Sequence, residues 1–341
     1  MTEQSQRGGA NSTNVQVIQA GPTTAELRLL VLDIVQAELY RYQQVGEATA
    51  HSRYEKITDD VLRMVASKGA GAAAAFADPD IQYSTATVGR EYARAGDDDL
   101  GEVLVGLLGD RIDAKSRSLL AVVLNDAIQI AARLTDRELD ALSLAWRLLR
   151  TSWSGMTSLE ALRTYLLEQF KPFSLPDGEA SYLHLESLGC LAVQPFSETT
   201  FGTAFINNYP GMFSNGFTDD DVPEELKPWL GRKDIFTTCL RDPTKLQVNA
   251  VDDAGIEAFG GLEDVEDAAT KLKAIEASHR MSVEEVEKSI SAMDPALATL
   301  IERWNGSLAK NIRVSAVGIA IAHANYRRAT GLVAALSIWI S

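Results

Sequence analysis

Cysteine is almost missing from this chain. Of 341 residues only Cys190 and Cys239 are cysteines, and they stand far apart. That excludes a disulfide framework, a CxxC redox pair and a cysteine zinc site, and leaves two small apolar thiols in a reduced protein. Histidine is nearly as scarce. His51, His184, His279 and His323 are scattered, and none has a metal-ligating partner one helical turn away. His184 and His323 therefore read as hydrogen-bonded core residues rather than ligands. No Walker A, GxSxG or HExxH motif occurs, so the familiar phosphate-binding, hydrolase and zinc-protease sites have no footing here. The opening stretch MTEQSQRGGANSTN lacks the apolar segment of a signal peptide. A run of about 18 uncharged apolar residues, the mark of a membrane span, is also lacking. The closest approach is the terminal IRVSAVGIAIAHANYRRATGLVAALSIWIS, but His323, Asn325, Arg327 and Arg328 sit in its middle. Two arginines at mid-membrane are costly, so this stretch is expected to be packed protein core. A cytoplasmic protein with no membrane partner, no metal and no cofactor is the expectation.

What is present is an ordinary globular composition, 46% hydrophobic and 23% charged, long enough for two domains. The net charge of -15 opposes general binding to nucleic acid or to anionic membranes, though not a local basic patch. Residues 1–22 are rich in Gly, Ser, Asn, Thr and Gln, too polar to offset ordering entropy, and a disordered tail is expected. Within it Val15, Val17 and Ala20 alternate with polar residues, which allows a short strand.

Helical signals then follow one another. Thr23 to Glu26 reads as a capping box, and Leu27, Leu30, Val31, Ile34, Val35, Leu39 and Tyr42 keep helical spacing, predicting one long helix to about residue 66. KGAGAAAAF interrupts it. Asp78-Pro79 starts a helix to about Ala95. Asp99 is expected to cap the next, with Leu100, Val103, Leu104, Leu107 and Leu108 on one face. Leu120, Leu124, Ile128, Ala131 and Leu134 mark another. Thr135–Glu138 and Thr157–Glu160 read as two further capping boxes, leading to Leu139, Leu142, Trp146 and Leu149 and to Leu162, Tyr165, Leu166 and Phe170. After KPFSLPDG the character changes. EASYLHLESLGCLAV reads as a short helix, a stop at Gly189 and a strand. Residues 195–262 are rich in Pro and Gly and predict loops with short elements. DVEDAATKLKAIEA, SVEEVEKSISAM and DPALATLIERWNG predict three more helices. Finally IRVSAVGIAIAHANYRR passes from a strand into a helix capped by Ser315, and LSIWI has strand character, with Leu336, Ile338 and Ile340 on one face and Trp339 on the other.

The steps at Leu188-Gly189 and at Ser315 are those that flank the wing of a winged-helix module. The expected fold class is mainly α: an N-terminal helical bundle followed by an α+β, winged-helix-like C-terminal domain with a large insertion. The domain plan is a polar tail at 1–22, an α-helical bundle at 23–176 and the winged-helix-like domain at 177–341, its insertion at about 197–310.

Few residues suggest chemistry. DDD at 97–99 and at 219–221 could hold a divalent ion but read better as turns beside helix starts. Asp110 and Arg111 read as a structural ion pair. Tyr83, Glu91, Tyr92 and Arg94 could line a pocket, a solvated or interfacial face being the plainer reading. The best binding-loop candidate is NNYPGMFSNGF, which sets Tyr209, Phe213 and Phe217 among turn residues, since aromatic loops make good anchors. A folded plug over the core is the even alternative. From Arg303 onward there are five basic residues and no acid. Arg313, Arg327 and Arg328 could face nucleic acid, or pair with DDDVPEE or EDVED.

Together NSTNVQVIQAG, FADPDIQYSTATVGREYARAGDDDLGEVLVGLLGDR, SYLHLESLGC, YPGMFSNGF, KLQVNA, VGIAIAHANYRRATG and LSIWI resemble an uncharacterised bacterial protein family known mainly by locus-tag names, to which no activity is assigned. The resemblance spans nearly the whole chain. LTDRELDAL and the pair LGCL and VSAVGIAIAHA are similar, more weakly, to the Abi-alpha proteins of abortive infection. The resemblance implies a bacterial cytosolic protein with a part in phage defence, and supplies no catalytic residues. Three functions stay open: a non-enzymatic, macromolecule-recognising or self-associating component; a winged-helix nucleic-acid binder; a small-ligand binder or an enzyme with an unrecognised site.

Overall fold

The structure is a computed structural model and describes residues 24–153, 155–261, 267–331 and 334–340, with side chains from residue 43 onward except at 70, 260 and 261. The polar tail, its short strand and the box at Thr23–Glu26 lie outside the described residues. The chain divides into two compact units, Met1–Ser52 and Arg53–Ser341. In the first, the described residues belong to helix α1 (Thr24–Lys68), which runs on into the second.

The second unit is mainly helical. Gly69, at φ 85, breaks the chain after α1, and α2 (Ala70–Ala75) follows. Asp78 caps α3 (Pro79–Ala95), its carboxylate accepting from the Asp80 N–H at 2.9 Å. The cap of α4 (Asp98–Asp113) is Asp97, which accepts from the Leu100 N–H at 2.7 Å; Asp99, expected to be the cap, sits in the first turn, where its charge still favours the helix dipole. Ser118 caps α5 (Leu119–Ala131), so Leu134 falls beyond its end. The box at Thr135–Glu138 opens α6 (Asp136–Arg150) as the sequence predicts. The next one does not form: Ser158, not Thr157, caps α7 (Leu159–Gln169), which places Ala161 where a capping box needs an acid. Helix α8 (Glu179–Ser187) ends at Gly189, φ 73, and leads into strand β1 (Leu191–Val193).

Residues 195–262 hold more order than their prolines and glycines suggest. They include α9 (Phe201–Asn208), the antiparallel pair β2 (Phe236–Thr238) and β3 (Leu246–Val248), α10 (Asp253–Glu257) and several 3-10 turns, two of them at 210–213 and 219–221. Then come α11 (Ala268–Ser278), α12 (Val283–Ser291) and α13 (Pro295–Asn305), each close to its predicted position. Strand β4 (Ile312–Val314) returns to pair antiparallel with β1, Ala192 opposite Arg313. Ser315 caps α14 (Ala316–Thr330), and its hydroxyl also donates to the Gly189 and Cys190 carbonyls at 2.6 and 3.0 Å.

One hydrophobic cluster runs from Ile57 to Ile340, with α14 packed on α4, α5 and α6. The boundary expected at 176/177 has residues of this cluster on both sides. A smaller cluster gathers Phe217, Leu226, Trp229, Phe236 and Leu272 around β2 and β3. The LSIWI segment is not a strand. Residues Leu336–Ile338 form a 3-10 turn, which buries Leu336 and Ile340 and leaves Ile338 68% exposed. Alternation would put those three on one face; a three-residue turn cannot. The segment does dock, as its apolar character demands.

The entry of α14 is tight. A Cβ added at Gly318 would lie 1.9 Å from the Cys190 carbonyl oxygen, and backbone cannot yield there as a side-chain tip can. Gly318→Ala is therefore expected to lower stability to urea by about 1–3 kcal/mol. Gly231→Ala, with nothing within 4 Å, is the control and should stay within about 0.5 kcal/mol.

Candidate functional site

Polar groups enclosed by apolar helices must find partners, and most do. Arg111 is buried between α3, α4 and α5. It donates to Asn125 Oδ1 at 3.0 Å and pairs with Asp80, whose carboxylate also accepts from Asn125 Nδ2 at 3.1 Å. The expected Asp110–Arg111 pair does not form, because Asp80 and Asn125 take the Arg111 guanidinium. Asp110 instead takes both arms of Arg327, at 2.9 and 3.1 Å. Arg328 pairs with Asp99 at 2.8 Å, Arg303 with Asp177 at 2.9 Å and Lys310 with Glu198 at 3.4 Å. The acid-free terminal stretch thus spends four of its five cations on carboxylates, none of them in DDDVPEE, while most of EDVED lies outside the described residues. Arg313 is exposed and bonded to no acceptor among the described residues.

His184 is exposed rather than in the core, and its Nδ1 lies 2.8 Å from the buried Glu138 carboxylate. Both cysteines are buried and free, and burial pushes the Cys190 thiol up to about 12. Among the described residues no group of His, Cys, Asp or Glu could hold a metal ion. Tyr83 is exposed, Glu91 pairs with Arg94, and Tyr92 is buried with its hydroxyl on Asp98 at 2.7 Å. Tyr209, Phe213 and Phe217 all face inward. Phe213 packs beside Phe205 and beneath the Arg241 guanidinium, and Phe217 belongs to the smaller cluster. The loop is a plug, which withdraws Phe213 and Phe217 from solvent.

Tyr209 leads to the site that remains. Its hydroxyl accepts from the Trp153 N–H at 2.8 Å and meets the Tyr165 hydroxyl at 3.2 Å. Trp153 stacks on Tyr165, centroids 5.5 Å apart. The Arg147 guanidinium lies over the Tyr165 and Tyr326 rings, 4.9 and 5.7 Å from their centroids. Trp146 meets Trp339, Tyr326 and His323 edge to face at 4.9, 5.3 and 5.6 Å. Helix periodicity explains the gathering: His323 and Tyr326 are one turn apart on α14, and Trp146 and Arg147 are consecutive in the last turns of α6. The tail closes one side, with Trp339 Nε1 donating to the Arg150 carbonyl at 3.2 Å and His323 Nε2 to the Ala334 carbonyl at 2.7 Å.

These side chains wall a cavity of about 220 Å³, and a neighbouring one of about 210 Å³ shares Arg147 and Trp153 with it. Burial raises the Tyr165 hydroxyl above its ordinary value and pushes Tyr326 up to about 12, so both phenols are neutral at ordinary pH. Three buried atoms of this wall have no hydrogen-bond partner among the described residues: Trp146 Nε1, Arg147 Nε and His323 Nδ1. The last lies 3.7 Å from Asp110. Burial alone would raise the Asp110 carboxyl, but His323 and Arg327 outweigh it and hold it below the usual range.

Sequence reading passed over Trp146, Arg147, Trp153, Tyr165 and Trp339 as a site. The available signal was rarity: three of the five tryptophans meet here. The molecule is thus a mainly helical protein with an aromatic, donor-bearing cavity. A family model whose description reads ":-like" matches residues 21–340, and the chain belongs to that family. Neither the curated proteins nor the solved structures include a match.

Because Asp110 gives up its proton more readily in the folded chain than in the unfolded one, its ion pair stabilises fully above the ordinary aspartate value of about 3.9. That contribution fades as the pH drops past this value toward the lower folded one. In urea titrations the stability gap between the parent and Asp110→Asn should narrow on acidification below about pH 4. A gap that keeps its width would show that the pair carries no charge-linked stability.

Proposed function

We propose that this protein works by binding rather than catalysis, and that the aromatic cavity takes a small, flat molecule bearing a carboxylate or carbonyl oxygen. The carrying observation is the pair of orphaned donors. Trp146 Nε1 and Arg147 Nε are buried in the wall with nothing to donate to among the described residues, at a cost of about 1–3 kcal/mol for each such group. A ligand oxygen offsets that cost, and the surrounding rings cover a planar body. Chemistry is poorly served by the same residues. The phenols are held protonated by burial, and an arginine does not exchange protons at ordinary pH.

Self-association, the other half of the sequence expectation, is a second reading. Its support is an apolar groove of about 350 Å³ walled by Ile57, Val61, Leu62, Val65, Phe76 and Val88, with Leu62 59% exposed. The proposed occupant is a second copy of this chain, whose own sequence carries Leu27, Leu30, Val31, Ile34 and Leu39 at helical spacing. We also infer a winged-helix-like arrangement of β1, β4 and α14, supported by their antiparallel pairing and by the cap at Ser315. Cytoplasmic location rests on the sparse, unpaired cysteines and the family resemblance, and a part in phage defence on the resemblance alone.

A set of aromatic carboxylates screened by ligand-observed NMR should yield binders that are lost in Trp146→Phe and weakened in Arg147→Gln. If parent and variants bind the same members equally, the cavity is not the ligand site. Light scattering on a size-exclusion column should return a dimer or larger species that Leu62→Glu reduces to monomer. A parent that elutes as a monomer at every concentration refutes the second reading.

A further inference from the structure

We propose that a second site, the cleft between the end of α6, the β1–β4 pair and α9, binds a base-plus-phosphate unit of nucleotide chemistry, with Arg150 and Arg313 on the phosphate and Phe196 under the base. The cleft holds about 330 Å³ and carries two guanidinium groups, those of Arg150 and Arg313. Neither is bonded to an acceptor among the described residues. No carboxylate lines the cleft; the rest of its polar wall is amide and hydroxyl, including Gln194, Thr199 and Asn207. Register accounts for the grouping. Arg313 stands opposite Ala192, so the small methyl leaves its face of the ribbon open, and Gln194, two residues on from Ala192, falls on the same side.

Charge decides what such a cleft can hold. Helices α6 and α9 end beside it, each contributing about half a negative charge from its terminal carbonyls. Two full positive charges exceed that, and Asn208 Nδ2 already caps the Leu148 carbonyl at 3.1 Å. The nearest acid in sequence, Glu198, is held by Lys310 at 3.4 Å. The cleft is thus locally cationic on a molecule whose total charge is -15, which confines favourable contact to one or two phosphates, free or on a short strand.

Phe196 supplies the second, independent observation. It follows Gln194 and Pro195 at the end of β1 and is fully exposed, at 103%. Gln194 and Ser197, on either side of it in the chain, line the cleft, and an exposed aromatic ring with unpaired arginines is the combination by which proteins bind single-stranded nucleic acid, stacking for the base and guanidinium for the backbone. Arg327 and Arg328, which the sequence groups with Arg313, take no part, since Asp110 and Asp99 hold them.

Fluorescence anisotropy of a labelled oligothymidylate at low salt tests the proposal, with thymidine monophosphate as competitor. Binding is expected, with a log–log salt slope of about 1.4 for two phosphate contacts to a single strand. Arg150→Ala/Arg313→Ala should weaken it at least tenfold and Phe196→Ala severalfold, all three positions being exposed and circular dichroism verifying the fold. Effective competition by the monophosphate assigns the site to free nucleotides, and failure to compete assigns it to a strand; both uphold the chemistry. No binding at low salt, or binding that survives the double substitution, overturns it. These variants leave the aromatic cavity intact, so its ligand screen reads out separately.

Discussion

Helix α14 is enclosed along nine consecutive residues, Gly318–Tyr326, so its polar side chains have no water to turn to. Each must be answered from a neighbouring helix or from the tail. Asn325 donates to Ser143 Oγ at 3.0 Å, Tyr326 to Gln169, and His323 to the Ala334 carbonyl. Burying a polar group without such a partner costs several times what a satisfied hydrogen bond contributes. The position of the helix is therefore fixed by polar pairing as well as by apolar packing. From it follow the aromatic cavity, whose wall includes one of its faces, and the β1–β4 pair, which α14 enters through Ser315 and Gly318.

Much of the helical architecture is legible in the sequence, because capping chemistry and apolar period are local. Asp78-Pro79, Thr135–Glu138, Asp294-Pro295 and Ser315 all stand at observed helix starts. Where two acids or two hydroxyls compete for one cap the sequence misleads, as at Asp97 against Asp99 and Ser158 against Thr157. The LSIWI segment fails for another reason. β-branched and aromatic residues favour a strand only where an edge is free to pair, and tertiary packing there fits a tight turn instead.

The binding features are less legible, since they depend on which helices meet. Trp146 and Trp339 are almost two hundred positions apart, and no local pattern joins them. Tyr209 is drawn from the loop that sequence singles out, yet it acts from behind the wall, through Trp153 and Tyr165. The cations show the same limit. Composition reveals that the terminal stretch lacks acids. Only the fold shows that Asp99, Asp110, Asp177 and Glu198 answer four of them and that Arg313 has no partner among the described residues.

The lateness of α14 in the chain bears on how the protein is made. Helices α4, α5 and α6 leave the ribosome well before it, and at about 5–20 residues per second the wait is on the order of ten seconds. Throughout that interval the seam between α4, α5 and α6 that α14 will fill is open. A nascent chain in that condition is a natural client for chaperones that shield apolar surface.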